Sequence, residues 1–155
     1  MKEQVRQIIS ALKDDSALFR LFTEEELATV APYFEEARFK AGSLVFSEGD
    51  PPDFLALVQK GKVEIKKQTE FKGKQIVLAH MTKGSVLGEL AVFDDFPRSA
   101  SVEAVEDTDL LILTNEALES FIESYPELGI KLLKGVSRVL SLRLRQLAER
   151  LVVIF

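Results

Sequence analysis

Apolar residues at the start of the chain recur at intervals of three and four positions, the spacing of one helix face: Val5, Ile8, Ile9 and Leu12. A second set has similar spacing: Leu27, Val30, Ala31 and Phe34. Thr23 precedes this second set, and Glu26 three residues later completes a capping box, so the second helix is predicted to begin there. The pattern therefore predicts two core-facing helices within residues 1–36.

From residue 37 to residue 113 the pattern changes to short β-rich runs. Six of these are predicted as strands: 43–47, 54–59, 62–67, 75–80, 100–105 and 110–113. Turns separate them, and several contain glycine, for example Gly42, Gly61 and Gly84. Many short strands joined by close turns are typical of a roll or barrel.

The remainder, residues 114–155, is predicted to be helical, with Thr114 as a cap and Pro126 in the first turn of another helix. Two heptad positions are apolar apart from one serine: Ile130, Ser137, Leu144 and Leu151 in one, and Leu133, Leu140 and Leu147 in the other. This pattern is a coiled-coil seam of about three heptads. The leucines either pack against the strands or pair with a second copy, and the seam favours a homodimer through residues 130–151.

Composition narrows the class of protein. A chain of 155 residues with 46% hydrophobic residues is sufficient for one domain over residues 1–155. The absence of Cys and the single residue His80 argue against a disulfide framework and a metal site. No membrane span or secretory signal is present, so a cytoplasmic location without a membrane partner is expected. A net charge of −5 gives no general attraction to nucleic acid.

The segment from Gly84 to Ala100 interrupts the strands and carries the candidate chemistry. Residues 86–93 are predicted as a short helix entered through two glycines, which would offer free main-chain N–H groups to an anion. Arg98 follows the rigid Pro97, and its planar guanidinium can hold a phosphodiester with paired donors. Glu89 can accept a ribose hydroxyl and balance the charge of Arg98.

This segment resembles the phosphate-binding cassette of cyclic nucleotide-binding domains, whose pattern is Gly-Glu-Leu, a spacer, then Arg-Ser/Thr/Ala-Ala. Gly88-Glu89-Leu90 and Arg98-Ser99-Ala100 match the two halves. Glycine turns of that family also match Ala41-Gly42, Glu48-Gly49-Asp50 and the stretch from Val58 through Gly61 to Val63. The resemblance covers residues 15 to 150 and is to the type found in catabolite activator proteins and regulatory subunits of cyclic-AMP-dependent protein kinase.

The resemblance implies a mainly β fold with flanking helices: a double-stranded β-helix, or jelly-roll-like β-roll, with N-terminal helices and a long C-terminal helix. It implies that Glu89 binds the ribose 2′-hydroxyl and that Arg98 binds the phosphate. The other residues expected to line the ligand are Gly88, Leu90, Ser99 and Ala100. Candidates for contact with the base, from the C-terminal helix, are Ser141, Arg143 and Leu144. Leu87 stands where the family usually has an aromatic residue. This difference leaves the residues expected to bind the phosphate and the ribose unchanged.

The function that follows is a non-catalytic sensor that transmits occupancy through the C-terminal helix. Cyclic AMP is the expected ligand, with cyclic GMP as the alternative, because Ser99 stands where many cyclic-GMP binders carry Thr. No catalytic residue, metal or further cofactor is predicted.

One alternative is the sensory half of a Crp/Fnr-like transcription regulator lacking its DNA-binding domain, since five residues after Arg150 leave no room for one. A weaker alternative is a cupin-like enzyme, which normally needs clustered His and Glu ligands.

Overall fold

The computed structural model describes residues 2–154, in which helices flank a β-roll. At the N-terminal end lie α1 (Lys2–Leu12) and α2 (Glu24–Val30), followed by a 3-10 turn over Ala31–Tyr33. The strands are β1 (Glu35–Phe39), β2 (Leu44–Phe46), β3 (Phe54–Lys60), β4 (Val63–Gln68), β5 (Gln75–Met81), β6 (Val86–Leu87), β7 (Ser101–Ala104) and β8 (Thr108–Thr114). The chain ends in α3 (Asn115–Ser124) and α4 (Pro126–Ile154).

The strands form two antiparallel four-stranded sheets, β1-β8-β3-β6 and β2-β7-β4-β5. The chain passes repeatedly from one sheet to the other. The two sheets enclose an apolar interior, which is the inside of the roll. This is the fold class that the sequence predicted, a β-roll with flanking helices and a long C-terminal helix.

The central strand β3 shows why one stretch of this chain is apolar on both faces. Leu55 and Leu57 belong to a cluster that packs the sheet against the helices, whereas Ala56 and Val58 face the interior of the roll. Alternate residues of a strand point to opposite faces, so a strand covered on both sides must be apolar throughout. Of the two clusters, the one inside the roll also surrounds the cavity described below.

Both predicted caps are present. Thr23 Oγ1 accepts a hydrogen bond from the main-chain N–H of Glu26 at 3.2 Å, and the N–H of Thr23 donates to Glu26 Oε1 at 2.9 Å. Thr114 Oγ1 accepts from the N–H of Ala117 at 3.1 Å and caps α3. These bonds satisfy main-chain groups that a helix leaves free at its first turn.

Two local predictions were wrong. Strand β1 begins at Glu35, inside the segment assigned to helices, and residues 86–93 do not form one helix. Val86 and Leu87 instead pair with β3, and a single 3-10 turn covers Glu89–Val92. Gly88 lies between them at φ +70°, a left-handed conformation that ends the strand and cannot itself be part of a right-handed helix running through residues 86–93.

Helix α4 packs its apolar side chains against the rest of the chain along its first half, and beyond it Arg143 contacts Glu89 and Val86. Leu132, Val136 and Val139 are buried against the helical cluster. The later heptad leucines are exposed: Leu144 by 67%, Leu147 by 53% and Leu151 by 54%. Within residues 2–154, these leucines therefore do not serve as core. No helix in that range is long and apolar enough to cross a membrane.

Candidate functional site

A cavity of about 410 Å³ opens between the sheet β2-β7-β4-β5, the segment that follows β6, and α4. Its floor is apolar and comes from five strands: Phe46, Ile65, Ala79, Met81, Leu87 and Val102. Five ionisable or hydroxyl-bearing side chains also line it: Glu89, Asp94, Arg98, Ser99 and Arg143. The cavity therefore offers an apolar surface for a planar group beside a small set of charged groups.

The residues that the sequence predicted to touch a ligand come together here. All six of the cassette residues line the cavity: Gly88, Glu89, Leu90, Arg98, Ser99 and Ala100. Of the three candidates for base contact, Arg143 lines it. Ser141 and Leu144 are exposed on α4 and are not among the lining residues.

The main chain of Arg98 is fixed by the turn between β2 and β3. Its N–H donates to the carbonyl oxygen of Asp50, and its own carbonyl accepts from the N–H of Gly49, both at 2.8 Å. Gly49 adopts φ +91°, which favours glycine at this turn. These two bonds orient the residue so that its side chain extends into the cavity.

The guanidinium of Arg98 is buried against two aromatic rings. Its Cζ atom lies 4.0 Å from the ring centroid of Phe46 and 4.7 Å from that of Phe54. Nη2 donates to the carbonyl oxygen of Phe54 at 2.7 Å and lies 3.7 Å from the exposed carboxylate of Asp53. The buried Nε has no hydrogen-bond partner. Arg98 lines the cavity, and one donor of its positively charged group has no acceptor within the protein.

The electrostatics of Arg98 follow from this burial. Desolvation lowers the pKa of its guanidinium, while the nearby carboxylates of Asp53, Asp50 and Glu89 act in the opposite direction. Arginine has so high an intrinsic pKa that it stays charged at neutral pH. The cavity therefore contains a buried cation whose nearest carboxylate lies in solvent.

Gly88 allows this arrangement because a side chain there would collide with Arg98. A Cβ atom built on Gly88 would lie 2.5 Å from Nη1 of Arg98. The φ of +70° at Gly88 is also unfavourable for other residues. Gly88 thus permits both the turn into Glu89–Val92 and the close approach of the guanidinium.

Glu89 is buried and forms an ion pair with Arg143 of α4. The same guanidinium donates to the main-chain carbonyl of Val86. Arg143 thereby joins the long helix to both sides of Gly88. Among residues 2–154 no group of three or more His, Cys, Asp or Glu side chains is arranged to hold a metal ion.

Sequence reasoning missed the apolar part of the site. Phe46 and Phe54 lie on different strands, β2 and β3, and reach Arg98 through the fold, not through local sequence. The alternation within β4 and β7 could have indicated that Ile65 and Val102 face inward. It carried no signal that this interior remains open as a cavity.

Comparison with known proteins gives the family. A family model described as cyclic nucleotide-binding domain matches residues 36–125. A cyclic AMP receptor protein of Thermus thermophilus is 34% identical over 131 residues, which are 84% of this chain and 58% of the relative. A CRP-like cAMP-activated global transcriptional regulator of Mycobacterium tuberculosis is 30% identical over 131 residues, 84% of this chain and 56% of the relative.

A solved structure supports the same assignment. The crystal structure of a cyclic nucleotide-binding domain from Methylobacillus flagellatus matches with a TM-score of 0.87 and 29% identity, over 98% of this chain and 85% of that one. The chain belongs to the cyclic nucleotide-binding domain family, as the cassette predicted, and this family of domains is regulatory, not catalytic. It spans just over half the length of the two curated relatives.

Proposed function

We propose that the protein is a sensor that binds a 3′,5′-cyclic nucleotide in this cavity, with cyclic AMP as the preferred ligand. The observation that carries the proposal is the buried guanidinium of Arg98 with its unpartnered Nε. A buried donor without an acceptor costs about 1–3 kcal/mol, and a phosphate oxygen at Nε would remove that cost. Since the acceptor would be charged, the bond would also be of the stronger, charge-assisted kind.

The roles of the cassette residues follow from their positions. Arg98 binds a phosphate oxygen through Nε, because Nη2 is already bonded to Phe54 and Nη1 lies against Gly88. Glu89 accepts the ribose 2′-hydroxyl with the carboxylate oxygen that Arg143 leaves available. The remaining cassette residues contribute mainly main-chain contacts: Gly88, Leu90, Ser99 and Ala100.

The base occupies the apolar part of the cavity, over Ile65, Ala79 and Met81. Arg143 is the α4 side chain already placed to contact it. Ser141 and Leu144 would reach the base only after α4 moves. Ser99 in the cassette favours cyclic AMP over cyclic GMP, and both curated relatives are named for cyclic AMP.

Occupancy is transmitted through Arg143. A ligand hydroxyl that binds the available oxygen of Glu89 shares the carboxylate with Arg143, the side chain that joins the cassette to α4. The population of α4 arrangements can then shift by as much as the ligand's affinity differs between them. The helix carries an exposed apolar seam over Leu144, Leu147 and Leu151, which fits a homodimer formed with a second copy of this chain.

Three further expectations belong to the same proposal: a cytoplasmic location, a single domain over residues 1–155, and the absence of catalysis and of binding to nucleic acid or membranes by this chain alone.

A second candidate is the sensory half of a transcription regulator. The observation that favours it is that the chain matches just over half of two relatives that are named as a regulator or receptor. Both candidates expect no DNA binding by this chain alone, so retarded migration of labelled DNA in a mobility assay with this chain would contradict both.

Calorimetric titration with cyclic AMP and cyclic GMP tests the proposal. The wild-type protein should release or absorb heat on titration with cyclic AMP and should gain thermal stability. Arg98→Lys should weaken binding by about tenfold or more, because a charged bond worth about 1.5–3 kcal/mol is lost. Arg38→Lys is the matched control, since the side chain of Arg38 is 89% exposed on β1. Absence of heat and of a thermal shift with both nucleotides at about millimolar concentration would overturn the proposal.

A further inference from the structure

A polar cluster beside the cavity has no part in the contacts assigned so far. It joins Glu48, in the turn between β2 and β3, to Lys67 and Gln68 at the end of β4. Glu48 Oε1 accepts a hydrogen bond from the main-chain N–H of Gln68 at 3.0 Å, and Oε2 lies 3.5 Å from Lys67 Nζ. Lys67 Nζ also donates to the main-chain carbonyl of Ser99 at 2.7 Å. We call this group, Glu48 with Lys67, the polar clamp.

We propose that the polar clamp positions the anion site: Lys67 and Glu48 hold Ser99, and through it the guanidinium of Arg98, in the orientation that binds a cyclic phosphate. The ligand named here rests on the proposed function above. Lys67 is not among the residues that line the cavity, so its role is to position other groups.

The main chain around Arg98 depends on such contacts. Residues 98–100 precede β7 and are not part of either sheet. On one side of Ser99, Arg98 is bonded to Gly49 and Asp50. On the other side, Ser101 Oγ accepts from the main-chain N–H of Glu48 at 2.8 Å. The hydrogen bond from Lys67 to the carbonyl of Ser99 therefore fixes a residue that lies between Arg98 and Ser101, which are both bonded to the turn between β2 and β3.

Lys67 and its neighbour Lys66 reach opposite faces of β4. Lys66 Nζ lies 2.8 Å from Glu103 and 3.6 Å from Glu64, on the outer face of the sheet. Lys67 reaches Glu48 and Ser99 instead. Since residues two apart share a face of a strand, Lys67 continues the row of Ile65, which lines the cavity. The two lysines thus lie on the same strand and carry the same charge, but they contact different partners.

The charge of Lys67 is locally balanced. The main-chain N–H of Gln68, and after it the charge and hydrogen bond of Lys67, lower the pKa of the Glu48 carboxyl group. Glu48 is therefore ionised at neutral pH and forms an ion pair with Lys67. A paired charge near a solvent-exposed site exerts little long-range attraction on a phosphate, so the effect of Lys67 must depend on the main-chain bond to Ser99.

Three variants test this inference in cyclic AMP titrations. Lys67→Met should weaken binding by about three- to tenfold, the loss expected for one hydrogen bond that orients a binding group. Lys66→Met removes the same charge from the opposite face and should change affinity by less than about twofold. Lys67→Arg should restore most of the affinity, because it can still donate to Ser99. An unchanged affinity in Lys67→Met would overturn the inference.

A double-mutant cycle separates positioning from direct attraction. In an Arg98→Lys background, Lys67→Met should cause little further loss, since the group that it orients is absent. An equal loss with and without Arg98 would show that Lys67 acts on the ligand independently and would contradict the inference.

Nuclear magnetic resonance of the ligand-free protein keeps this test separate from the proposed function. The buried, unpartnered Nε–H of Arg98 provides a local signal. Lys67→Met should shift or broaden the Arg98 Nε–H and main-chain amide signals, whereas Lys66→Met should leave them unchanged. If the wild type bound neither nucleotide, the proposed function would fail, and unchanged Arg98 signals in Lys67→Met would refute the positioning role independently.

Discussion

Arg143 of α4 and the buried Glu89 of the cassette form an ion pair that joins the C-terminal helix to the candidate ligand site. The guanidinium of Arg143 also donates to the carbonyl of Val86, so it contacts the chain on both sides of Gly88. A ligand hydroxyl that binds Glu89 would share its carboxylate with Arg143. The pair therefore connects the cavity directly to the second half of α4.

Arg143→Met should uncouple α4 from the cassette. In the wild type, cyclic AMP should change hydrogen exchange of the main-chain amides in the exposed half of α4. In the variant this change should be lost while binding through Arg98 persists, and the free energy of unfolding should fall by about 1–3 kcal/mol because Glu89 loses its partner. Arg145→Met, an exposed residue of the same helix, is the control. A wild-type exchange response in Arg143→Met would contradict this route of transmission.

Gly88→Ala should remove ligand binding by displacing Arg98. The added Cβ would lie 2.5 Å from Nη1 of Arg98, and the residue would keep a φ of +70°. Gly73→Ala is a matched control, because Gly73 has φ +85° with no atom within 4 Å of the added Cβ. Both variants should lose about 1 kcal/mol of stability from backbone strain. Only Gly88→Ala should also lose affinity for cyclic AMP, by about tenfold or more.

Phe46→Leu should weaken the binding of cyclic AMP, because it removes the aromatic ring against which the guanidinium of Arg98 lies. Leucine retains apolar volume but lacks the ring on which the charged group lies, and such a contact is worth about 0.5–2 kcal/mol. We expect a loss of affinity of several-fold, measured by calorimetry. Phe39→Leu is the control, since Phe39 packs against the same core cluster from β1. Equal losses of affinity in the two variants would assign the effect to general packing.

The cassette was predictable because its chemistry is encoded locally. Gly88-Glu89-Leu90 and Arg98-Ser99-Ala100 are each contiguous, and one residue of each, Glu89 and Arg98, is a buried charge in the structure. Most strands were also predictable, since apolar runs and turn glycines mark them directly. β6 was not, because two paired residues are too few to produce a period.

The rest of the site arises from contacts between distant residues. Phe54 stacks on Arg98 and Lys67 bonds Ser99, although 44 and 32 positions separate the members of these pairs. No local pattern identifies such partners. β1 was missed for a different reason: its sequence Glu-Glu-Ala-Arg-Phe is largely exposed and polar, so it lacks the apolar alternation that predicts a strand.

Acid should destabilise the contact between α2 and α4. Lys131 Nζ lies 2.7 Å from Glu26 Oε1, and this bond, followed by that from the N–H of Thr23, lowers the pKa of the Glu26 carboxyl group below its ordinary value of 4.5. A carboxyl group with a lowered pKa stabilises the folded state above its unfolded pKa, and this contribution is lost as the pH falls through the folded value. Glu26→Gln should therefore flatten the decline of unfolding free energy below pH 4.5.

Denaturant unfolding at a series of pH values measures this effect. Glu25→Gln, on the same turn of α2 and exposed, removes the same charge and is the control. A decline of equal steepness in Glu26→Gln and the wild type would exclude the pair as a source of acid sensitivity.

Leu147→Glu should convert a dimer into a monomer without unfolding the chain. Leu144, Leu147 and Leu151 lie on one stripe of α4 and are each more than half exposed, which is costly for three large apolar side chains unless a partner covers them. Introducing a carboxylate at the centre of a self-paired seam places two like charges close together and leaves them poorly solvated. Analytical ultracentrifugation should give a dimer for the wild type and a monomer for Leu147→Glu. Arg145→Glu, off this stripe, should remain dimeric, and a monomeric wild type would contradict the seam as a dimer interface.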